Sequence, residues 1–299
     1  MYDTGWVPGP RLPLPLPVWV DTDCGIDDAL ALLALAASPR VQLVGISTVA
    51  GNVTAAQAAA NAAAIVRHAG AAVPVYVGGS AEPGRDPELL HGVDGLGDTH
   101  LGRADLVAAG SGVDRLLSAV AERPGALHVL GLGPATNLAA AVQQSPRLTS
   151  RLGSLTLVAG TRPGVRDTNT WYDPLAMSDV LAAFRDAGTL TAVTLEATLG
   201  SPLGGTHLDR LRPPAGDPIL WSFASFYAAR QSRELGRPTL TPHDALAVVH
   251  LLGGVAAGVT AGGCVEGDLA HEDGPGTITW VRQLGPGVAD QLVRLLTAT

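Results

Sequence analysis

Four aspartates fall within eight residues in the run Val18-Trp19-Val20-Asp21-Thr22-Asp23-Cys24-Gly25-Ile26-Asp27-Asp28-Ala29. They sit after a short apolar strand-like stretch and before an Ala/Leu-rich helical one. At an effective dielectric of about 20, two such anions about 4 Å apart repel by roughly 4 kcal/mol. A chain that gathers them at a strand–helix junction is expected to neutralise them with a cation. Donors that are oxygen alone point to a hard ion, Ca²⁺ or Mg²⁺, rather than zinc. Helix N-capping accounts for one or two of the four acids, which leaves the cluster as the floor of a candidate active site.

The elements that must position these acids alternate along the chain. Strands are expected at 17–21, 41–48, 73–77, 127–132, 155–158 and 190–195, with helices at 28–37, 54–69, 103–122, from 135, and from 174 to 187. The strands read as unbroken apolar runs, as in a parallel sheet covered on both faces. Repeated βα units predict a single-domain α/β fold, an open, mostly parallel, doubly wound (Rossmann-like) sheet with helices on both faces. Beyond Gly200 the alternation weakens. A Pro-rich loop leads to a helix bearing Trp221, Phe223, Phe226 and Tyr227, then a helix from His243 and a closing strand pair at 263–269 and 276–282. The Gly/Pro/acid-rich stretch 78–102 is too long for a plain connection and reads as a functional loop.

In such sheets ligands bind beyond the carboxyl ends of the strands. Asp21 and Asp23 follow the first strand, Asn52 the second, Leu132 ends another, and Asn169 lies in the loop after Gly160. This convergence is independent of the acidic run.

The 299-residue chain is 46% apolar and 15% charged, a globular composition, with a net charge of −8 and no lysine. No dense Arg patch offers phosphate contacts, so a nucleic-acid partner is not expected. The apolar window 245–263 contains His250 and several glycines and reads as a core helix followed by a turn, so no membrane partner is expected either. Two cysteines are too few for a disulfide framework. The Pro-rich extension 1–16 lacks the basic-then-apolar order of a secretion signal, and the expectation is a cytoplasmic protein of one domain spanning 1–299.

The acidic run resembles the N-terminal signature of the inosine–uridine-preferring nucleoside hydrolases, with Cys24 where proline is usual. Further similar stretches keep the family's order: Thr48-Val49-Ala50-Gly51-Asn52, His91-Gly92-Val93-Asp94-Gly95-Leu96-Gly97, Leu132-Gly133-Pro134-Ala135-Thr136-Asn137-Leu138, Asn169 before Asp173-Pro174, and His243-Asp244. The resemblance implies the nucleoside hydrolase fold and cleavage of the N-glycosidic bond of a nucleoside substrate to ribose and free base. It also implies one Ca²⁺ and a homodimer or homotetramer.

By the same resemblance Asp23, Asp28, Asp244 and the Leu132 carbonyl match the calcium-ligating positions. Asp23 is also the general base, and Asp27, Asn52 and Asn169 match the ribose-binding positions. His243 matches the acid that protonates the departing base, a role His91 could share or replace. The family's Glu-Phe-Asn becomes Asp167-Thr168-Asn169, so the contacts to the base and the 5′-hydroxyl through Asp167 depart from the pattern. Arg162 and Arg166 read as solvated loop cations, with a substrate altered at C5′ as the alternative. A fold relative that binds ribosides without turnover is the remaining rival. A haloacid-dehalogenase-type phosphatase needs a later lysine, and an EF-hand needs a Glu where Leu32 stands; neither requirement is met.

Overall fold

Strands made of Val, Leu and Ile with few polar interruptions must be covered on both sides, and the helices between them supply the cover. In a computed structural model that describes residues 15–80, 89–161, 167–235, 239–253, 256–264, 271–273 and 277–298, nine strands form one sheet. They are β1 (Leu16–Thr22), β2 (Val41–Thr48), β3 (Val75–Val77), β4 (His128–Gly131), β5 (Ser154–Val158), β6 (Leu190–Val193), β7 (Ala256–Cys264), β8 (His271–Asp273) and β9 (Ile278–Leu284). The order is β3-β2-β1-β4-β5-β6-β9-β7-β8. The seven strands from β3 to β9 run parallel, and β7 and β8 add an antiparallel edge.

The helices are α1 (Ile26–Ala37), α2 (Ala55–His68), α3 (Gly112–Glu122), α4 (Thr136–Gln144), α5 (Leu148–Arg151), α6 (Thr168–Tyr172), α7 (Pro174–Phe184), α8 (Leu195–Leu199), α9 (Gly205–Leu211), α10 (Pro218–Leu235), α11 (His243–Leu251) and α12 (Val288–Leu296). Side-chain alternation along β1 splits the core in two. Val18 and Val20 join the cluster built with α1, α2, α10, α11 and α12. Trp19 joins the cluster of α3, α4 and α7 on the opposite face. Among the described residues no helix is long and apolar enough to cross a membrane.

Chain order reverses between β1 and β4, and in a doubly wound sheet such a switch point opens a crevice at the strands' carboxyl ends. The β1–β4 register pairs Asp21 with Gly131, and the β1–β2 register pairs Asp21 with Ser47. Asp23, Asn52 and Leu132 therefore emerge side by side.

Several expected boundaries shift. The helix expected at 103–122 is a short 3₁₀ turn at Ala104–Leu106 and then α3, because Gly110 at φ 116° breaks the chain and the Ser111 hydroxyl caps Asp114 N. The window 245–263 holds the expected core helix and turn, α11 ending at Leu251 and Gly253 turning the chain at φ 87°, but its second half is strand β7. The closing pair is thus β7 with β9, earlier than 263–269. Residues 265–270, 274–276 and the prolines of 1–14 lie outside the described residues. The sixth strand ends at Val193, since Thr194 caps α8 by accepting from Ala197 N at 3.3 Å.

Candidate active site

The acidic turn is held by its own backbone. Cys24 N donates to Thr22 Oγ1 at 3.0 Å. Gly25 N donates to Asp28 Oδ2 at 2.9 Å, a carboxylate at the third helical position reaching back to the cap. The Thr22 hydroxyl donates to Asp28 Oδ1. Cys24 sits at φ 40°, whereas proline is fixed at about −65° and has no N–H to give. The substitution from the family pattern therefore goes with a turn that proline could not make.

Asp244, in the first turn of α11, completes the floor: oxygens of Asp27, Asp28 and Asp244 lie within 4.8 Å of one another, all buried. The Asp23 carboxylate packs beside them, Oδ2 accepting from Asn52 N at 2.7 Å. It is wedged between two glycines: a Cβ at Gly51 would stand 2.1 Å from Asp23 Oδ2, and one at Gly133 2.9 Å from Asp23 N. Burial pushes the Asp27 carboxyl up to about 8, with the Asp28 charge adding to it. Burial raises Asp23 and Asp244 well above the carboxylate range, helped by the charges of Asp28 and Asp27 respectively, and raises Asp28 too. Among the described residues no arginine lines the pocket. The one basic group beside the carboxylates, His91 with Nδ1 3.7 Å from Asp27 Oδ1, is held neutral by burial. Buried oxygen donors that repel one another fit a hard divalent cation.

Asn169, on α6, donates through Nδ2 to Leu132 O at 2.6 Å and Val158 O at 3.0 Å. Its amide protons are spent on two strand ends, which leaves Oδ1 as an acceptor. Asn52 reaches Asp28 Oδ2 through Nδ2 at 3.4 Å. Asp167 serves its own neighbourhood. It caps α6, accepting from Asn169 N at 3.2 Å, Gly160 N at 2.8 Å and the Thr170 hydroxyl at 2.5 Å. Arg162 and Arg166 lie outside the described residues.

Two histidines face the carboxylates. His91 is buried, and its Nδ1 accepts from Ile26 N at 3.0 Å, so the ring proton resides on Nε2. Burial, with the neighbouring His243, pulls its pKa down to about 3. The Thr198 hydroxyl donates to Leu195 O at 3.0 Å and therefore receives the His243 Nδ1–H at 2.6 Å. His243 is left with a bare Nε2, and burial lowers its pKa to about 4.

These groups border one pocket of about 250 Å³ that includes Asp23, Asp27, Asn52, His91, Leu132, Asp167, Asn169, His243 and Asp244. All the expected site residues except Asp28 reach its lining, and Asp28 lies beneath it within the carboxylate cluster. Sequence reasoning passes over the other wall. Trp171, Tyr172, Leu195 and Leu199 line it, as does Tyr227, whose ring lies 4.8 Å from that of His91. By sequence Phe223, Phe226, Tyr227 and Arg230 form a stripe that could stack on a base but is more often core. Phe223 and Tyr227 are both core, and Tyr227 reaches the pocket as well. Gln231, one turn further along α10, exchanges two hydrogen bonds with the Thr241 backbone at 2.7 and 3.1 Å. That clamp fixes the approach to His243 and Asp244.

A doubly wound parallel sheet with a buried acidic pocket at its switch point defines a class, the α/β proteins that bind small molecules beyond their strand ends. Within that class the chain belongs to the inosine-uridine preferring nucleoside hydrolase family, whose profile matches residues 18–284. It is 30% identical over 250 residues to "Probable uridine nucleosidase 2" of Oryza sativa subsp. japonica, covering 79% of this chain and 73% of that one. It is 32% identical over 192 residues to uridine nucleosidase 1 of Arabidopsis thaliana, covering 60% and 56%. The chain spans little more than half the length of some relatives it matches, 55% for "Probable uridine nucleosidase 1" of rice. Among solved structures, a plant nucleoside hydrolase, the PpNRh1 enzyme, superposes with a TM-score of 0.83 at 24% identity, covering 95% of this chain and 100% of the other. A purine-preferring ribonucleoside hydrolase from Gardnerella vaginalis gives 0.80 at 24%, with 94% and 98% covered. At that identity the likeness is one of fold.

Proposed function

We propose that the protein hydrolyses the N-glycosidic bond of ribonucleosides, releasing ribose and free base, with Ca²⁺ as its cofactor. The observation that carries this is the convergence of four buried carboxylates, two amides and two histidines on one pocket, in a chain of this family. Asp23, Asp28, Asp244 and the Leu132 carbonyl would hold the ion. When bound, it neutralises the carboxylates, orients the attacking water and lowers its pKa.

The chain's own residues do the rest. Asp27, Asn52 and Asn169 hold the ribose hydroxyls, Asn169 through the carbonyl oxygen its other bonds leave available. Asp23, fixed by Asn52 N and the two flanking glycines, takes the proton from water as it attacks. The carboxylates stabilise the positive charge that develops on the sugar in an oxocarbenium-like transition state. His243, its orientation set by Thr198, acts as the acid only after its bare Nε2 has taken up a proton, which it then passes to the departing base. His91 offers its Nε2–H as a fixed donor. The wall of Tyr227, Trp171, Tyr172 and Leu199 takes the flat base. Asp167 acts by holding Asn169 in place. In the cell we propose a cytoplasmic homodimer or homotetramer.

A panel of purine and pyrimidine ribonucleosides, 5′-modified ribosides included, assayed for reducing sugar with and without chelator tests the reading. Turnover that chelation removes and Ca²⁺ restores is expected, and Asp23→Asn should abolish it while the protein still melts cooperatively. Binding without sugar release across the panel, or near-wild-type turnover by Asp23→Asn, overturns it.

A further inference from the structure

Asn61 lies in the middle of α2, among alanines, and is fully buried. A buried primary amide must find partners, and Asn61 finds them on two separate stretches of chain. Its Nδ2 donates to Cys24 O in the aspartate turn at 3.3 Å and to Asp94 O in the loop after His91 at 2.7 Å. Its Oδ1 accepts from Gln57 Nε2 at 2.9 Å. The loop is drawn down so closely that a Cβ on Gly95 (φ 81°) would come within 3.1 Å of Asn61 Nδ2, and one on Gly102 within 2.7 Å of its Oδ1.

From Asp94 the order spreads to His91. The Asp94 carboxylate accepts from Leu96 N, Asp98 N and His100 N at 2.7, 2.8 and 2.7 Å. Gly97 N donates to His91 O at 2.8 Å. His91 Nδ1 then accepts from Ile26 N, back in the aspartate turn. Hydrogen bonds lead from Cys24 through Asn61 to Asp94 and on to Leu96 N and Asp98 N. The chain carries the link to Gly97 between them, and Gly97 and His91 return it to Ile26.

We propose that Asn61 is a positioning residue that sets the register of the His91 loop against the aspartate turn, so that His91 and the turn's carboxylates are held as one unit. It acts through those two segments and touches no substrate. The kinetic half of its test rests on the hydrolase reading; the exchange half does not.

Asn61→Ala removes the bridge. Asn61→Asp keeps its shape and an acceptor for Gln57 but turns an oxygen toward two carbonyls. Hydrogen exchange should show the amides of Leu96, Asp98, His100 and Ile26 losing protection together, by about tenfold or more, in both variants. KM for a ribonucleoside should rise about tenfold and kcat should fall with it, because the His91 donor and the turn's general base both lose their fixed places. A merely structural asparagine would lower the melting temperature and leave KM and the relative protection of these amides alone. That result overturns the proposal, as does loss of protection in the loop while Ile26 stays protected. If neither variant folds, the wild-type protein decides. Its Ile26 amide and the three loop amides must open at one common rate, and separate rates overturn the proposal. A wild type inactive on every ribonucleoside would sink the hydrolase reading and leave the exchange test standing.

Discussion

Gly51 lies where a single methyl group would strike the proposed general base. Its Cβ would stand 2.1 Å from Asp23 Oδ2 and 2.8 Å from Cγ, whereas ordinary contact starts at 3.4 Å. In Gly51→Ala the carboxylate must therefore retreat by about 1.3 Å, the difference between those distances. It has little freedom to do so: Asp23 is buried, Oδ2 is bonded to Asn52 N, and Gly133 closes the other side. A displacement of about 1 Å in a reacting group costs roughly 10²-fold in rate, so kcat/KM for ribonucleosides should fall by about that factor. The assay is reducing-sugar release at saturating Ca²⁺, with circular dichroism and a thermal melt to show that the fold persists. A variant that keeps kcat/KM within about threefold of wild type, with the fold intact, would refute both the crowding argument and the role of Asp23.

His243→Ala should slow inosine cleavage by about 10²-fold or more while changing p-nitrophenyl riboside cleavage less than about threefold, because that leaving group needs no proton; equal losses on both would remove the acid role. In chelator, Asp27 and Asp21 titrate at about 8 and about 7, both pushed up by burial from 3.8. Their folded pKa values exceed the unfolded ones, so the native state holds extra protons and loses stability as pH rises through them. Above about 6.5 the buried histidines no longer contribute to this slope. The chelated protein should therefore melt lower at about pH 8.5 than at about pH 6.5, and added Ca²⁺ should raise the melting temperature more at the higher pH. A chelated protein whose melting temperature climbs across that window would contradict the assignment of the buried acids.

Much of this was legible from local chemistry. Unbroken apolar runs and βα alternation announce a covered parallel sheet, and four acids at a strand–helix junction announce a charged turn, because both signals lie in neighbouring residues. The amphipathic α12, with Val288, Leu292, Val293 and Leu296 buried, carries a readable stripe beyond the closing strands that the sequence analysis leaves unassigned. Other features had no local signal. Tyr227 and Phe223 share one helix and both belong to the core, and only the packing of α10 against the His91 loop gives Tyr227 a face on the pocket as well. Asp167 matches a ligand position, yet the fold gives its oxygens to Gly160, Asn169 and Thr170.

The sequence alone determined which residue types were present, the order of the elements, and therefore the sheet that brings strand ends together. Tertiary structure decided which donors remain free once the backbone has taken its share, and which side chain holds each segment in register. Hydrogen-bond partners such as Asn61 with Cys24 and Asp94 are separated by more than thirty residues. No periodicity along the chain encodes a contact whose geometry exists only after the sheet has formed and its helices have packed.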